Sequence, residues 1–570
     1  MRKSWLRRGG TLLWASTVVF GVFQIVERLG FSPTDDGYVL AQSYRILHGQ
    51  VPHRDFISVF PAGSPALHIV DFAVPLPLLE ATRLVGLIEI VIYTVLFSIL
   101  VYDRPVRNWS IWQYGVSTIA VLINVNTFPV MGWPTIDALL FVAVGLWVMR
   151  VALARGSVPS VYLAFVILGI AGLMKQSFLP SPLLGVLFVV TPFRARGERI
   201  RIRWPIAAGL SLLPLAVYVL SIAGFGAAGA MWVQTTHLGP TFHRIFFFLP
   251  DATNKATFIC LLAALGALLL TRSEVIPEGR DRPGLAVLVR IAFIAVLIGV
   301  PVSQGFAGPN GTWATQIFWA LLLYVIVDGW VNASIDWGGV TLLAVALMTM
   351  ASVGYATPGL VGGSLVLCLA CRVWQGLHIE AETRRPLTAM AALVLVIIAA
   401  ITLHDLHTYH YADLPVSSLP ANLTPVAHGL AGIRTNETTY SYMRDMVTCI
   451  RRYPASSVAV VPDNAVIYPV LHLRNPFPLD WLYPPVYIGS ENLILDAARR
   501  LNRAGDYLIL FQPVSGFLLP YNTPQTLVQS AGTVIREQPL LAEIDETLST
   551  GSRVLCGPFI GRYSAKRGRR

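Results

Sequence analysis

Long apolar runs are the feature that most limits how this chain folds. They recur from residue 11 to residue 403, and each has roughly the 16–20 residues that a helix needs to cross a bilayer. Only 13% of the residues are charged and the mean hydropathy is +0.62, whereas a soluble protein of this size carries about 25% charged residues. The sequence therefore predicts an α-helical polytopic membrane protein with thirteen spans, near 11–29, 84–101, 111–129, 134–151, 160–174, 178–193, 205–224, 255–271, 286–304, 313–330, 338–353, 358–374 and 387–403.

The distribution of arginine predicts the orientation of these spans. With the N-terminus inside, the basic loops all fall on the cytoplasmic side, and the short outer loops contain almost no Lys or Arg. This bias explains most of the net charge of +11, so we do not expect nucleic-acid binding. The first run follows the basic sequence RKSWLRR without a small-residue cleavage site, which predicts an uncleaved signal-anchor in a plasma membrane, bacterial by its preference for Arg over Lys. The arginines used are Arg104, Arg107, Arg150, Arg155, Arg194, Arg196, Arg199, Arg201, Arg203, Arg272, Arg280, Arg282, Arg372, Arg384 and Arg385.

This orientation requires a break near Lys175. The runs 160–174 and 178–193 must be two short helices that meet on the outer side at Lys175-Gln176-Ser177, because one long helix would put the basic loop at 194–203 outside. Short helices are tolerated where they line an enclosed, wet cavity. We therefore expect Lys175 at the mouth of an outward-facing cavity.

Three segments are predicted to lie outside: the opening loop 30–83, a second loop at 225–254, and residues 404–570. The chain thus divides into a membrane domain, residues 1–403, and an extracytoplasmic domain, residues 404–570, with a basic C-terminal tail. Within the opening loop, the periodicity of YVLAQSYRILHGQ predicts a helix on the membrane surface that ends at Gly49.

The C-terminal segment alternates between strand and helix patterns. VAVVPD (458–463) and YLILFQ (507–512) predict buried strands, while TYSYMRDMVTCIRRYP and ENLILDAARRLNRAG predict helices, so we expect a small α/β domain. Its Cys449 and Cys556 either form a disulfide in an oxidising compartment or remain buried thiols. The proline- and aromatic-rich stretch 460–484 is either a contact surface for a sugar or acceptor, or a well-packed loop.

The opening loop begins with an acidic pair, Asp35 and Asp36, just past a membrane helix. Carboxylates are unfavourable near hydrocarbon, which indicates a site. One of them has the chemistry of a general base, since a carboxylate beside a hydroxyl can accept its proton. Capping of the following helix is an equally good explanation. Adjacent side chains point in different directions, so only one is expected to face a substrate.

Basic groups on the predicted outer side are candidates for binding a phosphate, because charge-assisted hydrogen bonds stabilise such a group. Contact with lipid head groups is the better explanation for any single one of them, except Lys175, which lies between apolar helices and for which a functional role is favoured. Arg54 is adjacent to Asp55 and is expected to pair with it. Asp137 is expected to face the cavity or to pair with a polar neighbour, and Glu89 is the main charge inside a run. The candidates are Arg54, Lys175, His237, His243 and Arg244.

The motifs of the opening loop resemble those of the integral-membrane glycosyltransferases of the GT-C class. Within that class they resemble the bacterial relatives of protein O-mannosyltransferases and of lipid A aminoarabinose transferases. The resemblance covers about 35 residues and three motifs: Asp35-Asp36-Gly37-Tyr38, then Gly49-Gln50-Val51-Pro52-His53-Arg54-Asp55-Phe56, then Pro61-Ala62-Gly63-Ser64-Pro65. Asp36 stands where these families usually have Glu, and an Asp-Asp pair is similar to that of the mycobacterial arabinofuranosyltransferases.

The resemblance implies a GT-C-like fold and transfer of a sugar from a polyprenyl-phosphate donor at the outer face of the membrane. Asp35 would deprotonate an acceptor hydroxyl, which attacks the anomeric carbon with inversion. The acceptor would be a glycan, a lipid or a protein. Because the leaving group is a phosphate rather than a diphosphate, we expect no metal requirement and no cofactor.

Two other classes fit parts of the sequence. A transporter or lipid flippase with an extracytoplasmic binding domain would explain the many helices. It predicts charged groups at the bilayer midplane and often internal repeats, and we find no repeat. A non-catalytic binding partner or sensor would use the outer domain alone.

Overall fold

The computed structural model of the chain describes residues 2–190, 201–236, 312–332, 335–351, 357–375, 381–487 and 489–565. Every predicted apolar run within these residues falls on a helix, and the runs at 255–271 and 286–304 lie outside them. The helices up to residue 236 are α1 (Arg2–Val26), α2 (Asp35–Leu47), α3 (Gly63–Leu67), α4 (Leu78–Tyr102), α5 (Ile111–Thr127), α6 (Pro134–Arg155), α7 (Val158–Met174), α8 (Ser181–Val190), α9 (Trp204–Gly224) and α10 (Ala228–Thr236). Those that follow are α11 (Thr312–Asn332), α12 (Trp337–Met350), α13 (Gly362–Gln375) and α14 (Ala381–Thr408).

Length and composition allow five of the described helices to cross a membrane. Shorter apolar helices accompany them, at Val158–Met174, Gln176–Val190, Trp337–Met350, Gly359–Arg372 and Ala392–Thr408. The chain is therefore a mostly helical protein with several apolar helices suited to a membrane. The five long segments are Gly9–Val26, Leu78–Tyr102, Pro134–Arg155, Trp204–Gly224 and Trp313–Trp330.

Glycines let the apolar helices approach closely. A Cβ on Gly169 of α7 would collide with the carbonyl oxygen of Ser211 in α9. A Cβ on Gly363 of α13 would likewise collide with the carbonyl of Ala120 in α5. Without a Cβ the two backbones of each pair come into contact, which is how helices pack where water does not drive their association.

The predicted break near Lys175 is present. Helix α7 ends at Met174, a short 3-10 helix spans Gln176–Phe178, and α8 begins at Ser181. Lys175 itself has an extended backbone. The two short helices are therefore separate elements joined by a tight turn, as the positive-inside pattern required.

The C-terminal region is the predicted α/β domain. Its main sheet has four strands in the order β3 (Ser457–Val461), β4 (Tyr507–Phe511), β6 (Phe559–Ser564) and β5 (Ser552–Cys556), in which β3 and β4 are parallel and the rest antiparallel. A small ladder pairs β1 (Ala421–Asn422) with β2 (Arg434–Thr435). The helices are α15 (Glu437–Arg452), α16 (Ile467–Val470), α17 (Pro484–Tyr487), α18 (Glu491–Ala504), α19 (Pro524–Gln529), α20 (Thr533–Glu537) and α21 (Pro539–Thr547).

A disulfide joins Cys449 of α15 to Cys556 of β5. Of the two possibilities left by the sequence, the bonded one is therefore found. Apolar side chains on one face of the sheet pack against α15, and those on the other face pack against α18 and α21.

The opening loop packs into the C-terminal domain. Phe31, Ala41 and Leu79 belong to one hydrophobic cluster of that domain, and Ile57 and Val59 belong to the other. The division at residue 403 thus separates two segments of chain that share a core. Helix α2 is present as predicted and is buried along most of its length. Residues 460–484 contact it at Gly37, Tyr38 and Arg45, and most of this proline-rich stretch is itself buried, as a well-packed loop would be.

Candidate functional site

The acidic pair forms the first turn of α2. Asp36 accepts the backbone N–H of Ser32, which precedes the helix, at 2.9 Å. The side chain of Thr34, at the N-cap position, donates to the carbonyl of Asp463 at 2.7 Å and does not cap the helix. The hydroxyl of Ser32 accepts the N–H of Asp35 at 3.3 Å, so neither aspartate side chain caps α2, and Asp36 instead holds the segment that leads into it.

Asp36 also faces a buried guanidinium. Arg83 of α4 lies 3.5 Å from its carboxylate, and donates at 3.0 Å to the carbonyl of Glu27 and at 2.7 Å to that of Gly30. Burial raises the pKa of Asp36, while the charge of Arg83 opposes the increase. Arg83 thus ties the end of α1 and the start of α2 to α4, with its charge partly matched by Asp36.

Asp35 has different surroundings. The hydroxyl of Tyr411 donates to its Oδ2 at 2.7 Å, while its Oδ1 is shielded from solvent and has no hydrogen-bond partner in the described parts of the chain. Burial is the main cause that raises the pKa of Asp35 to about 7; Tyr411 lowers it, and Asp36 and Asp463 raise it further. A carboxylate with a pKa near neutrality and an unused oxygen is suited to accept a proton.

A cavity adjoins Asp36, and Asp35 lies behind its wall, hydrogen-bonded to the lining residue Tyr411. Asp36, Arg83 and Tyr411 contribute its polar side, together with His410, whose pKa is lowered to about 4 by burial and by Arg83. The neutral imidazole leaves Arg83 as the positive charge among these four side chains. The remaining lining is mostly apolar, from Val26, Leu29, Phe31, Val125, Phe128, Pro129, Val130, Met131, Leu406 and Tyr409. The cavity therefore combines the ion pair of Arg83 and Asp36 with a mostly apolar wall.

The C-terminal domain fixes α2 from the other side. The backbone N–H of Val466 donates to the carbonyl of Pro33 at 3.1 Å, and a Cβ on Gly37 would collide with the backbone of Val466. Further along α2, Arg45 forms a buried, bidentate pair with Asp480, with both N–O distances 2.7 Å. The first turn of α2 is therefore held rigidly, as a catalytic side chain requires.

Arg54 lies at an exposed edge of the loop. It pairs with Asp55 at 2.8 Å, as predicted, and its guanidinium lies 5.5 Å from the centre of the Phe225 ring. No ion pair joins it to Asp35 or Asp36, which are both among the described residues. The structure therefore places this candidate apart from the acidic pair.

Lys175 is enclosed rather than placed at a cavity mouth. Its side chain is 1% exposed, its Nζ donates to Thr135 at 2.6 Å, and it lies 5.6 Å from the centre of the Phe60 ring. Burial lowers the pKa of Lys175 to about 7. Loss of hydration thus brings the pKa of this amine close to neutral pH. The prediction that Lys175 lies at the mouth of a cavity is wrong, because the residue is buried.

His237, His243 and Arg244 lie outside the described residues. The residues just before them, at the end of α10, do contact the opening loop. Gln234 accepts from the N–H of Ser58 at 3.1 Å, and the carbonyl of Thr235 accepts from Gln176 at 3.2 Å. The second outer loop therefore begins beside the first one.

Sequence reasoning missed Arg83, Tyr411 and His68. Arg83 stood at the outer end of the run 84–101, where the positive-inside pattern expects few arginines, and this exception was the available signal. Tyr411 lies 376 positions from Asp35, and no local pattern connects the two. Two possibilities were predicted for Asp137, and the structure shows the pairing with a polar neighbour, which is His68 at 3.2 Å.

Comparison with known proteins adds no family to this geometry. No family model matches the chain, and no curated protein matches it.

Proposed function

We propose that this chain is a GT-C-type glycosyltransferase that moves a sugar from a polyprenyl phosphate to an acceptor hydroxyl. The observation that carries the proposal is Asp35, a buried carboxylate with a pKa of about 7 and an oxygen without a partner. It occupies the position at which the resemblance of the opening loop places the catalytic base.

In the proposed reaction, the acceptor O–H gives its proton to the carboxylate of Asp35. The resulting nucleophilic oxygen bonds to the anomeric carbon from the face opposite the phosphate, and the bond from that carbon to the phosphate oxygen breaks. The polyprenyl phosphate leaves with the electron pair. Because a phosphate is a good leaving group, the protein has to stabilise its charge rather than protonate it.

Arg83 is the best-supported contact for that charge among the described residues. It borders the cavity, and the apolar lining of the same cavity suits the first units of a polyprenyl chain. Lys175 and the undescribed His237, His243 and Arg244 remain candidates from the sequence, whereas Arg54 is engaged with Asp55.

The proposed orientation puts the N-terminus in the cytoplasm and the C-terminal domain outside. The arginine bias of the loops supports it. The bond between Cys449 and Cys556 supports it as well, because disulfides persist in oxidising compartments.

Reconstitution in liposomes with defined polyprenyl-phosphate sugars tests the proposal. Donors carrying mannose, aminoarabinose and arabinofuranose should be supplied in turn with a mixed glycan, lipid and peptide acceptor pool. We expect Asp35→Asn to reduce transfer by about 10²–10⁴-fold, the usual contribution of a general base. Asp545→Asn, which removes an aspartate paired with Arg562 far along the outer domain, is the matched control and should remain active.

Two results would overturn the assignment. If transfer survives the substitution Asp35→Asn, Asp35 is not the general base. Failure to transfer from any donor, together with movement of the lipid between leaflets, would replace the enzyme by a flippase.

A further inference from the structure

A second buried group of titratable side chains lies outside the cavity. His68, Glu89 and Asp137 each offer a ligand atom, and these atoms all lie within 4.8 Å of one another. With Asp71 beside His68 they are called the acid cluster below. They come from three elements: the 3-10 helix His68–Ala73, the middle of α4, and the first turn of α6. Chain segments far apart in sequence therefore meet at one enclosed point.

The histidine of the acid cluster is oriented by a carboxylate. Asp71 lies 3.0 Å from Nδ1 of His68, and the same Asp71 oxygen accepts the hydroxyl of Thr82 at 2.7 Å. A carboxylate on Nδ1 orients the ring and can hold its proton there, so that Nε2 can act as a ligand when a metal ion replaces its present hydrogen bond to Asp137. Nε2 in turn faces Asp137, at 3.2 Å.

The backbone leaves room for the imidazole at one position. A Cβ on Gly132 would lie 2.8–2.9 Å from three atoms of the His68 ring. Any larger residue would displace the ring, so glycine there keeps Nε2 directed at Asp137.

The carboxylates of the acid cluster are short of partners. Oε2 of Glu89 and Oδ2 of Asp137 are buried and have no hydrogen-bond partner among the residues that the structure describes. Three carboxyl groups face one imidazole, so even an imidazolium leaves negative charge in excess. Unpaired anionic oxygens away from water are strongly unfavourable, and a bound cation is one of the ways in which proteins satisfy them.

We propose that the acid cluster binds one divalent metal ion through Nε2 of His68 and the carboxylates of Glu89 and Asp137. Asp71 is a positioning residue that holds the imidazole. One nitrogen and two carboxylate ligands suit Zn²⁺ or Mn²⁺ better than Ca²⁺ or Mg²⁺, which prefer all-oxygen sites. The ion cross-links the opening loop to α4 and α6, and its role is structural. The site is independent of the proposed sugar transfer.

The experiment uses the full chain in detergent, dialysed against EDTA and then into metal-free buffer. Zn²⁺, Mn²⁺, Mg²⁺ and Ca²⁺ are titrated separately, and bound metal is measured by mass spectrometry alongside thermal unfolding. We expect one equivalent of Zn²⁺ or Mn²⁺ and a rise in the unfolding temperature when it binds. Glu89→Gln and Asp137→Asn should abolish this binding, and Asp71→Asn should weaken it by about 10–100-fold.

Glu80→Gln is the matched control. It changes a buried carboxylate on the same helix, α4, that is already paired with Arg28 at 3.1 Å. Its metal affinity should equal that of the unaltered protein. The proposal fails if Glu80→Gln loses as much metal as Glu89→Gln. It also fails if the unaltered protein binds none of the four ions and unfolds at the same temperature with and without EDTA, a measurement that needs no variant to fold.

Discussion

The cavity site and the acid cluster both bury carboxylates, but they differ in how the charge is matched. At the cavity, Asp36 faces Arg83, and Asp35 accepts a hydrogen bond from Tyr411. In the acid cluster, a single imidazole faces three carboxyl groups, and three elements contribute oxygens without partners among the described residues. An arginine of the protein thus balances Asp36, whereas the acid cluster has more carboxyl groups than positive charge.

This difference shows that burial alone does not indicate the role of an acidic residue. Asp35 accepts a hydrogen bond from Tyr411 on one oxygen and has no partner on the other among the described residues. Such a carboxylate can exchange a proton without destabilising its surroundings. An unmatched group requires protons or a cation from outside. The two sites should therefore respond differently to loss of a charge, and four predictions test this.

The largest effect is expected from Arg83→Met. The substitution leaves Asp36 buried without its cation and deprives the carbonyls of Glu27 and Gly30 of a donor. Breaking a buried pair on one side costs about 3–5 kcal/mol, and we expect a loss of that size in the free energy of unfolding. Denaturant titration in detergent measures it. Arg28→Met removes an arginine that is 56% exposed and should cost about 0–1 kcal/mol. If both variants lost the same free energy of unfolding, the buried pair of Arg83 and Asp36 would not be the stabilising interaction inferred for it.

Tyr411→Phe should shift the pH dependence of transfer. Asp35 works as a base only when deprotonated, so the rate should rise with pH through about 7. The Tyr411 hydroxyl lowers this pKa. Its removal should move the rising limb to higher pH by about one to two units, since a hydrogen bond to a charged group contributes about 1.5–3 kcal/mol and one pKa unit corresponds to 1.36 kcal/mol. A pH–rate profile checks this. An unmoved limb, or the same shift in the exposed Tyr521→Phe, would argue against Asp35 as the titrating group.

Gly132→Ala should destabilise the protein through the acid cluster. The added methyl group meets the His68 ring at 2.8 Å, and overpacking of this kind costs about 1–3 kcal/mol. Gly115→Ala in α5 meets nothing within 4 Å and should be neutral or stabilising by up to about 1 kcal/mol. Thermal unfolding of the two variants compares them, and a Gly132→Ala protein as stable as Gly115→Ala would mean that the ring is free to move.

The smallest effect is expected from Arg54→Gln. The pair with Asp55 is exposed and screened by solvent, so its loss should leave the stability of the protein nearly unchanged. Because Arg54 lies apart from the acidic pair, the KM for the donor should also change less than about twofold. Initial rates against donor concentration measure this, and a large rise in KM would restore Arg54 as a phosphate contact.

Local pattern was enough to predict most elements of this fold. Apolar runs predicted the apolar helices, and short apolar runs bounded by turns predicted β3 and β4 within two residues of their observed ends. The break at Lys175 followed from charge alone, because the orientation of a whole loop depended on it. Periodicity, length and charge bias are properties of neighbouring residues, so they can be read without knowing the fold.

The site was predictable only in part, because its contacts join distant positions. The motif of the opening loop and the unfavourable energy of a carboxylate near hydrocarbon indicated Asp35. Its partner Tyr411, however, lies 376 positions away, and His68 lies 69 positions from Asp137. The burial of α2 by distant segments was not predicted, for the same reason. Its amphipathic pattern shows that one face is apolar, but not that residues 460–484 would cover the rest.

The contact between Gly37 and Val466 has a consequence for how the protein is made. Asp35 leaves the ribosome early, but Tyr411, Asp463 and Val466, which surround it, are synthesised several hundred residues later. A chain stopped before residue 411 therefore lacks every one of these contacts with the first turn of α2. Under the proposed function, such a chain would have no activity until the C-terminal domain had folded onto α2.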